Sequence, residues 1–390
     1  MYFDRSNRKC KHQRRRTDAI LPELTIAQIC GNVLMPMQFV YGKQDFVQGV
    51  RVDTDGIARK VDESRFDSVV KAGWTDRMER GVFRYHLGDL KTRILPGRCG
   101  LVAQLNVKRG IERRKPQEIL SIQQDFNAKK FNFNKVNPDE IIFEMIKDSE
   151  EGHEMGRPPC KTVVLVNVSP LEFGHCLFVP DPARCFPQVL TSFAIQVGIE
   201  SVLLSSDPAF RVGFNSLGAC ASVNHLHLHG YYLKYKLNIE SAPVRPLLPE
   251  KGVYTLPGFP AGFLFYSESK GVEDVARAVC RVTDFLIEAN VAHNLFLTRG
   301  CPPCEEDDKL LRKGVRIAVW PRMACFGTKE ETAFNVAVCE LAGHLSFKNS
   351  KDFELTTESH VIDTIQCYLL PPGEFLQLEK QLTQHLKIGV

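Results

Sequence analysis

The chain has 390 residues, which is long enough for one large or two medium domains around a buried core. Hydrophobic residues make up 44% and charged residues 25%, as in soluble globular proteins, and no apolar run approaches the roughly 18 residues of a membrane span. The formal net charge of +4 is too small to indicate nucleic-acid binding, although a modest basic excess suits small anionic ligands. We therefore expect neither a membrane nor a nucleic acid as a partner.

Residues 1–60 are predicted to be a basic, partly disordered amino-terminal extension. Basic side chains crowd residues 8–16, which is typical of a solvated tail, and a nuclear signal or a polyanion contact is the alternative. Residues 1–5 show no apolar signal core, and the 13 cysteines have no framework spacing. These features predict reduced thiols in a cytoplasmic protein.

Hydrophobic periodicity predicts helices and strands along the rest of the chain. Helices are expected over residues 65–84, 187–204 (with Pro187 near the first turn), 272–289, 333–341 and 374–386. Strands are expected over residues 101–105, 162–168, 175–179, 210–215, 224–232, 262–266, 294–298 and 315–320. Two strands, a helix and two strands run from 162 to 232, and a looser copy runs from 262 to 320. This order predicts an α+β chain with a repeated unit.

Three histidines alternate with leucines near the middle of the chain, at His225, His227 and His229. Residues two apart in a strand point to the same face, so the three imidazoles are expected on one side of the strand. The leucines between them are expected to pack into the core behind. Three titratable rings on one face of a strand indicate a functional site rather than ordinary core histidines.

The three imidazoles could hold zinc, or they could be a nucleophile with two histidine helpers. A metal site usually has carboxylates that orient its ligands, yet no acidic residue lies between Asp207 and Glu240. The segment 216–222 is a polar, glycine-containing turn that suits an anion, so phosphate chemistry without a metal or cofactor is favoured. Cys301 and Cys304 enclose two prolines, which predicts a rigid turn rather than half a zinc site.

The histidine segment resembles the histidine triad motif of a superfamily of nucleotide hydrolases and transferases. Residues 167–170, 174–180 and 210–215 resemble that superfamily's hairpin and the strand that ends in an asparagine. Residues 104–106, 131–135, 231–233, 334–337 and 340–344 extend the likeness to its GDP-hexose phosphorylase branch, so that the resemblance covers about residues 65–370. It implies an α+β, histidine-triad-like fold of duplicated antiparallel half-barrel units with packed helices. The catalytic domain is then expected over 61–390, with halves of about 61–250 and 251–390.

The resemblance also implies roles for individual residues. The middle histidine, His227, is expected to attack the α-phosphorus of a nucleotide and to become covalently nucleotidylated. His225 and His229 are expected to flank it and stabilise charge, and the carbonyl of His225 or a nearby backbone group to accept from its distal N–H. The residues expected to bind the nucleotide or its phosphates are Ser222, Gly218, Asn215, Asn132, Asn134 and Lys135, with the N–H groups of 218–221 as a cradle. Further candidates are Arg211, Glu340 and His344.

The expected reaction is cleavage of GDP-glucose by inorganic phosphate to GDP and glucose 1-phosphate through a GMP–histidine intermediate. The plant and galactose-1-phosphate uridylyltransferase branches carry Gln where this chain has His229, and the third histidine also occurs in hydrolases. A hydrolase that releases GMP and a non-enzymatic guanine-nucleotide-binding module therefore stay open as alternatives. The sequence does not determine the oligomeric state, and a homodimer is left open.

Overall fold

The structure is a computed structural model that describes residues 36–53, 62–114, 116–148, 160–303, 310–326 and 332–388. The described residues from Met37 onwards belong to one compact unit, Met37–Val390. Most of the predicted amino-terminal extension, including its basic run, lies outside the described residues. Cys304 also lies outside them, so the turn that we predict between Cys301 and Cys304 stays a prediction.

Short strands dominate the described part of the chain. They are β1 Gln38–Tyr41, β2 Val50–Arg51, β3 Thr92–Ile94, β4 Val102–Leu105, β5 Ile141–Lys147, β6 Lys161–Val166, β7 Cys176–Pro180, β8 Phe210–Asn215, β9 Leu228–Tyr232, β10 Arg245–Leu248, β11 Val253–Leu256, β12 Gly262–Ser267, β13 Ala292–Gly300, β14 Leu311–Arg312, β15 Gly314–Arg322 and β16 His344–Phe347. The helices are α1 Arg65–Glu79, α2 Val107–Glu112, α3 Ser192–Leu204, α4 Val272–Glu288, α5 Val338–Leu341, α6 Ser350–Leu355, α7 Glu358–Gln366 and α8 Pro372–Ile388. None of these described helices has the length and apolar character needed to cross a membrane.

Of the described strands, eleven form one sheet in the order β1-β5-β6-β7-β9-β8-β13-β15-β12-β11-β10. Neighbours in it are antiparallel except β1 with β5. From the central β8–β13 pair, the order β8-β9-β7-β6 on one side matches β13-β15-β12-β11 on the other. Helix α3 connects β7 to β8, and α4 connects β12 to β13 in the same way. The topology therefore confirms the expected α+β fold with a duplicated antiparallel unit.

The large sheet is covered on both faces. On one face, α1, α3, α4 and α8 bury an extended apolar cluster, the helix-side core, which includes Phe66, Val197 and Leu382. On the other face lies a second cluster, the cleft-side core, which includes Trp320 and Phe347. A small sheet of β3, β4 and β16 and the helices α5 to α7 contribute to this second cluster. The central strands of the large sheet thus have two buried faces, and their side chains alternate between the two cores, whereas the edge strands β1 and β10 keep exposed residues.

Three elements begin later than the sequence predicts. Helix α3 begins at Ser192 rather than 187, because the Thr191 side chain accepts from Ala194 N and caps the helix there; placing Pro187 in its first turn is wrong. Strand β9 begins at Leu228 rather than 224. Helix α5 begins at Val338 rather than 333, since Glu340 Oε2 accepts from Ala337 N and caps the short helix (3.1 Å). The apolar periodicity extends past each helix start and cannot locate the cap.

Candidate active site

The histidine segment lies at the start of β9, with its imidazoles on the cleft side of the sheet. Leu226 and Leu228 belong to the helix-side core, as the alternation predicts. The ring of His227 contacts the ring of His229, with centroids 5.0 Å apart. Only His229 lies within the strand; His225 and His227 precede it in irregular backbone. The predicted common face is confirmed, although the predicted strand over all three histidines is wrong.

Hydrogen bonds fix the orientation and the tautomer of His227. Its Nδ1 lies 2.7 Å from the carbonyl oxygen of His225, which can only accept, so Nδ1 carries the proton and donates it. The other ring nitrogen, Nε2, then keeps its lone pair. The His227 backbone is held as well, because its N–H donates to Gln188 Oε1 (2.9 Å) and its carbonyl accepts from Gln188 Nε2 (3.0 Å). A buried imidazole is thus presented with one free basic nitrogen, and the expected backbone acceptor is confirmed.

His225 has both ring nitrogens engaged. Its Nδ1 accepts from the backbone N–H of Phe133 (3.0 Å), and its Nε2 donates to the carbonyl of Pro182 (3.2 Å). The Phe133 ring lies against both His225 and His227, with centroid separations of 5.6 and 4.9 Å. Two occupied nitrogens leave His225 no lone pair for a metal. Among the described residues, no cluster of three or more histidine, cysteine or acidic side chains could hold a metal ion.

His229 is paired with a fourth histidine, His175. The backbone N–H of Leu171 donates to His175 Nδ1 (2.8 Å), so the proton of neutral His175 lies on Nε2. That Nε2 lies 3.1 Å from Nδ1 of His229 and 3.2 Å from the side-chain nitrogen of Asn167, whose Oδ1 accepts from Ser169 N. His229 is therefore held beside His227 by a polar network that includes His175 and Asn167.

Burial keeps the imidazoles near the nucleophile uncharged. It lowers the pKa of His225 and of His227 from the usual 6.5 to about 4, in each case as the largest cause. Burial, followed by the positive charge of Arg109 and the neighbouring histidines, holds the pKa of His175 well below its usual value. At neutral pH His227 is therefore unprotonated and able to act as a nucleophile.

His227 and His229, but not His225, line a cleft between the large sheet and the segments that cover it. His227, His229, His175, Phe133, Ser222 and Asn215 all contribute to its wall. The cationic side chains in the wall are Arg109, Arg113, Arg114 and Lys348, and the acidic ones are Glu140 and Glu340. Burial raises the pKa of Glu340 to about 7, so this carboxyl is only partly ionised at neutral pH, and burial raises the pKa of Glu140 as well. The cleft as a whole is positively charged.

Asn215 and Ser222 line the cleft, and Asn215 also has a structural role. Its Oδ1 accepts from Asn294 Nδ2 (2.8 Å) and from the backbone N–H of Val338 (3.0 Å). The residue therefore connects β8 to the equivalent strand β13 and to the start of α5. Its assignment to nucleotide binding and that of Ser222 to phosphate binding stay predictions.

The polar residues that we expect around Phe133 point away from the cleft. The Asn132 side chain binds the turn itself, through Asn134 N and the carbonyl of Lys130. The Asn134 amide donates to the carbonyl of Pro182 (2.9 Å), and Lys135 Nζ donates to three backbone carbonyls in 128–130. None of Asn132, Asn134 or Lys135 lines the cleft. These three side chains therefore stabilise the turn, and Phe133 is the residue of this segment that lines the cleft.

The cradle that we expect from the turn before the histidines is also not formed as predicted. The N–H groups of Ala219 and Ala221 both donate to the carbonyl of Ser216 and are not available to a ligand. Gly218 does not line the cleft. Its φ of +76° and the close approach of Phe326 and Ala324 explain why glycine is needed there. Ser222 and Cys220 are the residues of this predicted cradle that line the cleft.

Two further candidates lie outside the cleft. Arg211 is buried in an ion pair with Glu240 (2.8 Å), so it does not face a ligand. His344 is buried, with its Nε2 3.2 Å from Gln104 Oε1, and does not line the cleft either. Glu340 does line it and contributes a buried carboxyl from the second half. One of these three candidates is therefore at the site.

Several important residues were not predicted from the sequence. His175 and Phe133 stood in segments already noted, but nothing local indicated their contacts with the triad. The apolar periodicity places Gln188 at the beginning of a helix, whereas its hydrogen bonds to His227 join residues 39 positions apart. Arg109 and Arg113 lie in a segment that carries no motif. The only signal in the sequence for these two arginines is the cluster of basic residues on and just after this short helix.

Solved structures share this fold. Yeast Ap4A phosphorylase Apa2 matches with a TM-score of 0.51 and 15% sequence identity, over 79% of this chain and 98% of that chain. The same protein in complex with Ap4A also gives a TM-score of 0.51. An identity this low shows the fold alone. The likeness shows that this chain shares the α+β fold of these phosphorylase structures, with three histidines on one face of its large sheet.

Sequence comparison then identifies the family. GDPGP1-like N-terminal and C-terminal domain models match residues 65–231 and 238–388. GDP-D-glucose phosphorylase 1 of Danio rerio is 56% identical over 349 residues, which are 89% of this chain and 98% of the relative. The Homo sapiens protein of that name is 48% identical over 86% of this chain and 88% of its own. GDP-L-galactose phosphorylase 1 of Arabidopsis thaliana is 29% identical over 75% of this chain and 68% of its own. The chain belongs to the GDPGP1-like family.

Proposed function

We propose that this chain is a GDP-D-glucose phosphorylase, which converts GDP-α-D-glucose and inorganic phosphate into GDP and α-D-glucose 1-phosphate. The observation that carries the proposal is the buried, neutral His227, whose Nδ1–H donates to the carbonyl of His225 and whose Nε2 keeps its lone pair. The positively charged cleft around it suits a nucleoside diphosphate sugar. Relatives that bear this name at 48–56% identity support the same substrate.

In the first step, the lone pair of His227 Nε2 attacks the α-phosphorus of GDP-glucose. A bond forms between Nε2 and phosphorus, and the bond from phosphorus to the bridging oxygen breaks. The bridging oxygen keeps the electron pair and leaves as glucose 1-phosphate. Its phosphate has a second pKa of about 6, so this group departs as an anion and needs no metal and little general acid. The proton on Nδ1 stays in its hydrogen bond to His225 O.

In the second step, an oxygen of inorganic phosphate attacks the α-phosphorus of the GMP–histidine. A new phosphorus–oxygen bond forms, the bond to Nε2 breaks, and its electron pair returns to the imidazole. The products are GDP and neutral His227, ready for another cycle. Each step inverts the configuration at phosphorus, so the net result is retention.

The neighbouring residues have distinct proposed roles in both steps. His225 supplies the carbonyl that fixes the tautomer of His227, while its own ring is anchored by Phe133 and Pro182. His229 is assigned to donate to the phosphoryl oxygens, and its ring is oriented by His175, whose Nε2 lies 3.1 Å from His229 Nδ1. Ser222 lines the same cleft and offers a hydroxyl to a nonbridging oxygen.

Product analysis with GDP-glucose tests the proposal. The wild-type protein and His227→Asn are incubated with GDP-glucose, with and without phosphate, and the nucleotides are separated. We expect GDP and glucose 1-phosphate in equal amounts, only with phosphate, and at least a thousandfold slower formation in the variant. His86→Asn is the matched control, because His86 is exposed and lies outside the cleft.

Other outcomes would identify the alternatives. GMP formed at the same rate with and without phosphate would mean a hydrolase, and GDP binding without turnover would mean a nucleotide-binding module. A cytosolic location and a homodimer are further predictions, which microscopy of a tagged chain and size-exclusion chromatography with light scattering would test.

A further inference from the structure

One wall of the cleft is formed by α2 and the residues that follow it. Arg109 lies on α2, Arg113 caps its carboxyl end, and both line the cleft that contains His227. Arg114, the next residue, lines it as well. Three guanidinium groups within six residues therefore face the space beside the proposed nucleophile.

The three arginines differ in how their charge is satisfied. The guanidinium of Arg114 lies over the ring of Phe131, 3.6 Å from its centroid, and is also close to Glu140. Arg109 donates one N–H to the carbonyl of Ser169. For Arg113, the structure records no hydrogen bond and no carboxylate partner within the described ranges. Arg113 is thus the cation of the wall whose donors are available to a ligand.

Burial makes this arrangement unfavourable without an anion. Arg113 is half-buried, and burial lowers its pKa, followed by the repulsion from Arg109. Glu340 interacts with the charge of Arg109, but with a pKa of about 7 it is only partly ionised at neutral pH. Two like charges that are partly removed from water are therefore stabilised when an anion binds both. Planar guanidinium groups bind phosphate oxygens through paired hydrogen bonds, so phosphate is the anion that this geometry favours.

The position along the cleft indicates which phosphate it is. Arg109 donates to the carbonyl of Ser169, and the N–H of Leu171, two residues further on, donates to His175, which contacts His229, so Arg109 lies near the His229 end of the triad. Arg113 lines the same cleft as Cys220 and Ser222. The two arginines therefore lie along the triad, where groups that leave or enter at the α-phosphorus must pass.

We propose that Arg109 and Arg113 form the subsite for the β-phosphate of the sugar nucleotide and then for the incoming inorganic phosphate. This inference rests on the proposed function. In the second step the subsite holds HPO₄²⁻ with one oxygen toward the α-phosphorus, while the phosphate keeps its own proton and the Nε2–phosphorus bond breaks. Because water cannot use the two guanidinium groups, the subsite decides that phosphate rather than water takes the GMP group.

The test compares Arg113→Gln with wild type and with Lys108→Gln. Lys108 is on the same helix but is exposed and lies outside the cleft, so its variant controls for changes in α2. The KM for phosphate is measured at saturating GDP-glucose, together with the ratio of GMP to GDP in the products. Release of glucose 1-phosphate in a single turnover without phosphate reports the first step separately.

In Arg113→Gln we expect the KM for phosphate to rise about ten- to hundredfold, as for loss of a charged hydrogen bond. The fraction of GMP among the products should rise with it. The first step should slow less, because guanosine and glucose also anchor the nucleotide sugar. Arg113→Lys should recover part of the phosphate affinity, since it keeps the charge without the paired geometry.

Two results would overturn the subsite. One is an unchanged KM for phosphate in a folded Arg113→Gln protein, as judged by its melting temperature. The other is an equal rise in the KM values of phosphate and GDP-glucose with no additional GMP, which would make Arg113 a general substrate contact. Neither can be confused with failure of the proposed function, which would appear as a wild-type protein that forms no GDP from phosphate.

Discussion

The side-chain amide of Gln188 binds both backbone groups of His227, as a neighbouring strand would. It accepts from the N–H and donates to the carbonyl of the same residue, and Gln188 is fully buried. Its own backbone N–H donates to Asn224 Oδ1 (2.9 Å), one residue before the triad. The proposed nucleophile is therefore held at its backbone by Gln188 and at its ring by His225 O. Neither its backbone nor its imidazole can move far without breaking these hydrogen bonds.

Replacing Gln188 by Ala should separate positioning from binding. The His227 N–H and carbonyl would lose their buried partners, which costs about 2–4 kcal/mol of unfolding free energy. A displaced imidazole should lower kcat about ten- to a hundredfold, while the KM for GDP-glucose changes less than about threefold. Steady-state kinetics and urea unfolding would measure both effects, with the exposed Gln377→Ala on α8 as control. A folded Gln188→Ala protein with wild-type kcat would contradict this role.

At the scale of elements, helix α1 holds the far end of the triad strand. Asp67 on α1 is fully buried, and its carboxylate accepts from the hydroxyls of Ser205 and Tyr232 (both 2.7 Å) and from Ser206 N (2.8 Å). Tyr232 is the last residue of β9, and Ser205 follows the last residue of α3. One carboxylate therefore joins α1, the end of α3 and the end of β9.

The variant Asp67→Asn should weaken this junction without changing the chemistry at the triad. The asparagine amide would bring an N–H₂ group close to hydroxyl and N–H donors that now donate to the carboxylate. We therefore expect the free energy of unfolding to fall by about 2–4 kcal/mol. Asp76 on the same helix is half-exposed and contacts Arg77 and Arg80, and Asp76→Asn should change stability by less than about 0.5 kcal/mol. Urea denaturation of both variants checks the difference. Equal effects would mean that the junction contributes little.

At the scale of the whole molecule, buried neutral histidines make stability depend on pH. Burial lowers the pKa of His225, His227, His293 and His344 from the usual 6.5 to about 4. In the unfolded chain these groups take up protons below pH 6.5, whereas the folded protein takes them up only near pH 4. The unfolded state therefore binds more protons between these values, and stability falls as the pH falls through this window.

We expect the free energy of unfolding to drop between pH 6.5 and pH 5 by up to about 1–2 kcal/mol for each of the four histidines. Glu340, whose pKa burial raises to about 7, acts in the opposite direction, as do Glu140 and Asp284, whose pKa burial also raises, but these groups are fewer than the histidines. Thermal melts across this range measure the net change. A melting temperature that stays constant or rises as the pH decreases to 5 would contradict the assignment of neutral, buried imidazoles.

The sequence predicted the repeated unit and the histidine face well, because both depend on local alternation. Amphipathic periodicity located α1, α4 and α8, and Leu226 and Leu228 pack as the pattern indicates. It could not locate the start of β9, which depends on Gln188, nor show that the Lys135 ammonium binds backbone carbonyls rather than a ligand. Contacts between distant segments decide these features, and no local pattern records them.

The central claim is that His227 carries the GMP group, and trapping that intermediate tests it most directly. The protein is mixed with GDP-glucose without phosphate and denatured at alkaline pH, where phosphorus–nitrogen bonds to histidine survive. Intact-mass and peptide-mass spectrometry then locate any adduct. We predict one GMP per chain on His227, released as GDP when phosphate is added before denaturation. GDP production with no adduct, or with an adduct on another residue, would contradict the account.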